Sequence, residues 1–180
     1  MRRIARNGNF RLHANREEGC TSDAMDWAAG IGCLSVVKWL HVHTTEGCTT
    51  KAMNWAAGNG FLNVVKWLHV HRTEGCTSAA MDSAARNGHL TVIEWLHSHR
   101  SEGCSDKAIG HALRRDHFHV VLFLHQCKIE VQLLTYLRLR LSREVYQWLL
   151  ANYADDIRDY RILVSKLDTQ WVTLVRPRAD

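Results

Sequence analysis

Gly-Cys pairs stand at Gly19-Cys20, Gly47-Cys48, Gly75-Cys76 and Gly103-Cys104, a strict spacing of 28 residues. Self-similarity at a short fixed period constrains a fold more than any other sequence feature. A unit of this length is one supersecondary element, too small to bury its own apolar face, so successive copies must stack. The first two full units, GCTSDAMDWAAGIGCLSVVKWLHVHTTE and GCTTKAMNWAAGNGFLNVVKWLHVHRTE, agree at 21 of 28 positions. The third, GCTSAAMDSAARNGHLTVIEWLHSHRSE, is close, and the fourth, GCSDKAIGHALRRDHFHVVLFLHQCKIE, is worn but keeps the frame. The four units span 19–46, 47–74, 75–102 and 103–130.

Each unit reads as two helices. In the second, Thr49 or Thr50 is placed to cap the first helix. Ala52, Met53, Ala56 and Ala57 then recur at helical spacing, and Gly60 breaks the run. Phe61, Val64, Val65 and Leu68 form a second apolar stripe with Trp67 beside it, while Arg72-Thr73-Glu74-Gly75 turns the chain into the next unit. His69 and His71 lie at the C-terminal end of that helix, where the dipole favours a donor or a positive charge. Alanine pairs predict close helix approach, with Trp, Leu and Val filling the gap between neighbouring pairs. The expected class is all-α: an α-solenoid of stacked helix-turn-helix repeats.

The second half of each unit resembles the ankyrin motif. The match is carried by Ala56-Ala57, Gly60, Val64-Val65 and Trp67-Leu68, by Ala28-Ala29, Gly32, Val36-Val37 and Trp39-Leu40, and by Ala84-Ala85, Gly88-His89 and Val92-Ile93. The Thr-Pro-Leu-His signature of that family is replaced by Asp23-Ala24-Met25-Asp26 and its equivalents. The period is also shorter than the family's roughly 33 residues, which implies ankyrin-like repeats with much reduced hairpins. This short form is similar to the ankyrin-like repeats common in oomycetes. The resemblance covers 19–130. Residues 1–18 read as a partial N-terminal repeat that begins inside a unit. Residues 131–180 read as a degenerate repeat and helical cap. In that last stretch 143–150 echoes the Val-Val-Lys-Trp-Leu helix, Leu137–Leu141 alternates like a strand in the place of a first helix, and Asp155, Asp156 and Asp159 open a last helix.

The remaining features exclude more than they assign. The formal charge is +5, but Arg2, Arg3, Arg6, Arg11 and Arg16 supply it, and the other 164 residues hold 18 bases and 18 acids. A nucleic-acid binder spreads lysine and arginine over a face of the body, so nucleic acid is the weaker alternative partner, resting on these arginines and Arg114-Arg115. No apolar run reaches the length of a membrane span, and MRRIARNGNF has no apolar stretch typical of a secretory signal. An intracellular setting, cytoplasmic or nuclear, is expected. Six cysteines and twelve histidines suggest metal, yet most are copies of one position. Copies one repeat apart stack at about 8–10 Å, too far for a disulfide, and for the histidines too far to share zinc. The group His111, His117, His119 and His125 is the densest. No phosphate loop, nucleophile elbow or paired-carboxylate pattern occurs, so neither catalysis nor a cofactor is expected. Asp26, Asn54 and Asp82 recur at one position, which points to local hydrogen bonding.

Comparing the copies separates scaffold from variation. Gly19, Cys20, Ala24, Ala28, Val36, Leu40, His41 and Glu46 are unchanged in all four units. Trp27 becomes Trp55, Ser83 and His111; Gly30-Ile31 becomes Gly58-Asn59, Arg86-Asn87 and Arg114-Arg115; Asp23 becomes Lys51, Ala79 and Lys107. By the ankyrin resemblance these first-helix positions line a concave, partner-facing surface. The candidate binding set is therefore Trp27, Ile31, Lys51, Trp55, Asn59, Arg86, Asn87, His111, Arg114 and Arg115. It grades from aromatic to basic, implying a protein partner with an apolar anchor and an acidic segment, bound by a monomeric scaffold or adaptor. Two alternatives are that the tryptophans only fill the stack, and that the chain is a decayed family fragment with no dedicated partner.

Overall fold

The computed structural model describes residues 22–127 and 143–152, which fall into two compact units. The expected partial repeat at 1–18, the alternating stretch 137–141 and the last helix from Asp155 lie outside the described residues. The first unit consists of four helix pairs: α1 Ser22–Gly30 with α2 Leu34–His43, α3 Thr50–Gly58 with α4 Leu62–His71, α5 Ser78–Asn87 with α6 Leu90–His99, and α7 Lys107–Arg114 with α8 Phe118–Gln126. No strand occurs among the described residues. In the second unit, α9 spans Arg143–Asn152, with Leu149 buried and the Asn152 amide donating to the Trp148 carbonyl at 2.8 Å.

The paired alanines explain the packing. Ala28, Ala29, Ala56, Ala57, Ala84 and Ala85 are fully buried, and Met25, Met53, Met81 and Ile109 fill the space beside them. The backbones of successive first helices lie close together, α1 on α3, α3 on α5 and α5 on α7, whereas those of the second helices stand further apart and meet through side chains such as Trp67 against His41 and Trp95 against His69. Small residues let helix backbones approach, so the row of first helices is the short, inner side of the array. Val64, Val65 and Leu68 of α4, and their copies in α2 and α6, close the core beneath.

The indoles of the second helices fill the gap between pairs in part. Trp67 and Trp95 meet the His41 and His69 rings of the preceding repeat edge-on, at 5.3 and 5.1 Å between centres, and Trp39, Trp67 and Trp95 all stay half-buried. Each stacks on the imidazole one turn later: Trp39 on His43, Trp67 on His71, Trp95 on His99, at 4.4–4.5 Å between ring centres. The same imidazoles donate through Nδ1 to the carbonyl of that tryptophan at 2.8–2.9 Å, which ties the last turn of each helix to its side chains.

The turn between helices depends on backbone handedness. Gly60 takes φ +80°, and a Cβ there would lie 2.8 Å from the imidazole of His89 in the next repeat. In the fourth repeat Asp116 occupies the equivalent turn with φ 57°.

Candidate functional site

The site begins with how the repeats are joined. Asp26 of α1 is fully buried, and its two oxygens accept from the Thr49 backbone N–H at 2.8 Å and the Thr49 hydroxyl at 2.6 Å. Thr49 is the N-cap of α3, its hydroxyl accepting from the Lys51 N–H. Asn54 and Asp82 repeat the arrangement on Thr77 and Ser105. The hydrogen bonding expected of this position is therefore between repeats: Asp26 and Asn54 hold the caps Thr49 and Thr77, and Asp82 holds Ser105, the residue before the cap Asp106. This fixes the inner helices in register, and so fixes the spacing of whatever they display.

What they display is one solvent-facing side. Along a first helix, Met25, Asp26, Ala28 and Ala29 face inward, leaving positions 23, 27 and 31 and their copies outward at helical spacing. Trp27, Lys51, Trp55, Asn59, Arg86, Asn87, Arg114 and Arg115 are exposed, and Ile31 and His111 are partly exposed. All ten lie on the inner helices or at their exits.

Within that row the residues do different things. The rings of Trp27 and Trp55 pack at 5.5 Å and 59°, yet they remain 42% and 37% exposed. They pack together and still present an apolar surface. Gly30 makes room for this, since a Cβ there would press on Trp55 at 3.2 Å. Gly58 likewise lets α5 approach, a Cβ being 2.8 Å from that of Ser83. In the third and fourth repeats the same position carries the exposed Arg86 and Arg114. The Asn59 and Asn87 amides donate to the Gly30 and Gly58 carbonyls of the preceding repeat at 2.7 and 2.6 Å. These two asparagines thus stitch neighbouring repeats across the displayed side. The Nδ1 of His111 is buried with no hydrogen-bond partner.

A second polar network, missed at the level of sequence, runs along the turns. The Arg72 guanidinium pairs with Glu74, whose Oε1 accepts from the Cys48 backbone N–H at 3.4 Å, and its Nη1 reaches His41 Nδ1 at 3.3 Å. Arg100, Glu102 and His69 repeat it. Burial works against the charged form of Glu74, but hydrogen bonds from Arg72 and from the backbone N–H groups of Glu74 and Cys48 outweigh it and hold the carboxyl at about 2. Burial, with the charge of Glu74, pushes the Cys48 thiol up to about 11. Arginine and glutamate stand two apart at 72 and 74 and again at 100 and 102, but nothing in a single repeat reveals that the pair reaches back to the preceding one.

The histidines come nearer to one another than one repeat of separation implies. The rings of His41 and His71 are 6.2 Å apart, and those of His69 and His99 are 6.3 Å apart. The Nδ1 of each is otherwise occupied, that of His71 by the Trp67 carbonyl and that of His41 by Arg72. In the fourth repeat, His119 Nε2 meets the Gly88 carbonyl at 3.2 Å, and burial followed by the neighbouring His119 lowers the pKa of His117. Among the described residues no group of three or more histidine, cysteine or acidic side chains is arranged to hold a metal. No helix among them is long and apolar enough to cross a membrane.

Residues 25–107 match a family model described as ankyrin repeats, three copies. Neither a curated protein nor a solved structure gives a significant match.

Proposed function

The chain belongs, through residues 25–107, to the ankyrin repeat family, whose members generally serve as protein-interaction modules, and from that premise we propose that it is a non-catalytic scaffold or adaptor binding a protein on the row of inner helices. One observation carries the choice of surface. Along the first helices the position identical in every repeat, Ala28 and its copies, is buried, whereas 23, 27 and 31 and their copies vary on the outward side. The second helices vary too, at 35, 38 and 42 and their copies, but carry no tryptophan or arginine there. Packing needs explain sameness; they do not explain a graded series from Trp27 and Trp55 to Arg86, Arg114 and Arg115. Tryptophan and arginine are the side chains most favoured at binding hot spots, because each combines a large contact area with a polar handle.

The test is affinity capture of a partner with the full chain, followed by crosslink mapping. Crosslinks should cluster on α1, α3, α5 and α7. Arg86→Glu with Arg115→Glu should weaken capture at least tenfold without changing the helical signal. Crosslinks confined to α2, α4, α6 and α8, with capture untouched by the double substitution, would sink the assignment.

A further inference from the structure

The inner row has a step length as well as a composition, and the step restricts the conformation of what it can bind. Outward side chains recur once per repeat: Trp27, then Trp55, then Arg86, then Arg115. Position 86 is the copy of Gly58, and position 115 the copy of Asn59, three and four residues beyond the tryptophan position and so on the same helical face. Helices packed through small residues lie about 8–10 Å apart, so each repeat advances the display by about that distance, with a further shift of about 4–6 Å along the helix axis between the tryptophans and the arginines. The bonds that Asp26, Asn54 and Asp82 make across the repeat boundaries keep the helix spacing the same from repeat to repeat.

An extended ligand must bring a side chain to the surface once per step. A β-strand returns to the same side every two residues, after about 6.8 Å, and falls out of register within two repeats. A polyproline II segment has three residues per turn and a rise of about 3.1 Å, returning to the same side every 9.3 Å or so. That length falls inside the repeat step. It therefore meets successive repeats with residues three apart.

The charge series then fixes what those residues are. Trp27 and Trp55 offer half-exposed apolar rings. Arg86 and Arg115 are exposed cations, with Asp116 exposed beside Arg115, and at the opposite, aromatic end the exposed Asp23 and Lys51 offset each other. Resting on the inner-row reading above, we propose that the partner contributes a polyproline II segment with apolar residues at positions i−3 and i, against Trp27 and Trp55, and acidic residues at i+3 and i+6, against Arg86 and Arg115. One repeat reads three residues.

The test uses fluorescein-labelled proline-rich peptides and fluorescence anisotropy with the full chain. One pair of peptides carries phenylalanine at two positions three apart, followed by aspartate three and six residues on, in either chain direction. A control pair has the same composition with a spacing of two. The in-register peptide of one direction should bind at least tenfold more tightly than its control. Arg86→Glu with Arg115→Glu should abolish that binding and transfer the preference to a peptide with lysine in place of aspartate. Equal affinity for both spacings, with loss in the double variant, overturns the three-residue register and leaves the surface standing. Binding that the double variant and Trp55→Ala leave unchanged overturns the surface as well. Absence of binding by every peptide overturns the proposed ligand, while the crosslink map still judges the surface separately.

Discussion

Asp26 and Thr49 are joined by two hydrogen bonds across the first repeat boundary, one from the Thr49 N–H at 2.8 Å and one from its hydroxyl at 2.6 Å. The carboxylate is fully buried, and Thr49 caps α3, so the contact couples repeat stacking to helix initiation. Asp26→Ala leaves a buried N–H without its partner and loosens the cap. Its expected cost is about 2–3 kcal/mol. Asp26→Asn should cost less, about 1 kcal/mol or under, because Asn54 already does this work: its carbonyl accepts from the Thr77 N–H and its amide donates to the Thr77 hydroxyl, which reverses its role. Urea denaturation of the two variants, compared at equal slope, measures both.

The Arg72–Glu74 pair makes stability depend on acid in a defined window. The folded carboxyl lies at about 2 against an ordinary 4.5. A depressed folded value means that the contribution is complete above 4.5 and is lost as pH falls from there towards 2. Glu102 is shifted in the same direction, chiefly by its hydrogen bond from Arg100, and adds to the slope. Both pairs are partly solvated, so the effect is modest. Thermal midpoints measured between pH 5 and pH 2.5 should fall more steeply for the parent than for Arg72→Gln with Arg100→Gln. Parallel curves would contradict the pairing.

The helix pairs and their order were legible because stacking imposes the same demands on every copy. Ala28, Val36 and Leu40 recur in all four units since a larger or more polar residue would disturb a buried contact. What was not legible is which residue each one meets. The Asp26, Asn54, Asp82 series announced a hydrogen bond, but its partner is 23 residues away in the next repeat, and no pattern within one unit identifies it. The Trp39–His43 stack had a usable signal, the i, i+4 spacing of two rings on one helix. Asn59 and Asn87 show the opposite difficulty. They belong to a varied column, and variation alone does not separate side chains that stitch repeats from side chains left for a partner.

Native thiols should differ in reactivity by position. Burial, then the charge on Glu74, raises Cys48 to about 11, and burial, then the charge on Asp82, raises Cys104 to about 11. At pH 8 their thiolate fraction is roughly a hundredfold below that of an ordinary cysteine. Iodoacetamide labelling read by peptide mass spectrometry should modify both slowly in the native chain and at ordinary rates in guanidinium. Fast native labelling of Cys48 would mean that the turn around Arg72 and Glu74 is open in solution.

The turn between helices supplies a pair of substitutions with opposite signs. Asp116 holds a left-handed conformation at φ 57°, where an L side chain is strained and glycine is not. Asp116→Gly removes that strain but admits more freedom to the unfolded chain, so the net gain is small, about 0.5 kcal/mol. Gly60→Ala introduces the same strain and also sets a Cβ 2.8 Å from the His89 ring, which must move aside. The loss should be about 2 kcal/mol or more, combining backbone strain with overpacking. Combining Gly60→Ala with His89→Ala isolates the two terms. If the ring contact contributes, the second substitution restores part of the loss; if the handedness of the turn accounts for all of it, the double variant is no more stable than Gly60→Ala. Denaturant midpoints of the four chains decide between them, and an Asp116→Gly variant less stable than its parent would show that the aspartate side chain itself holds the last turn.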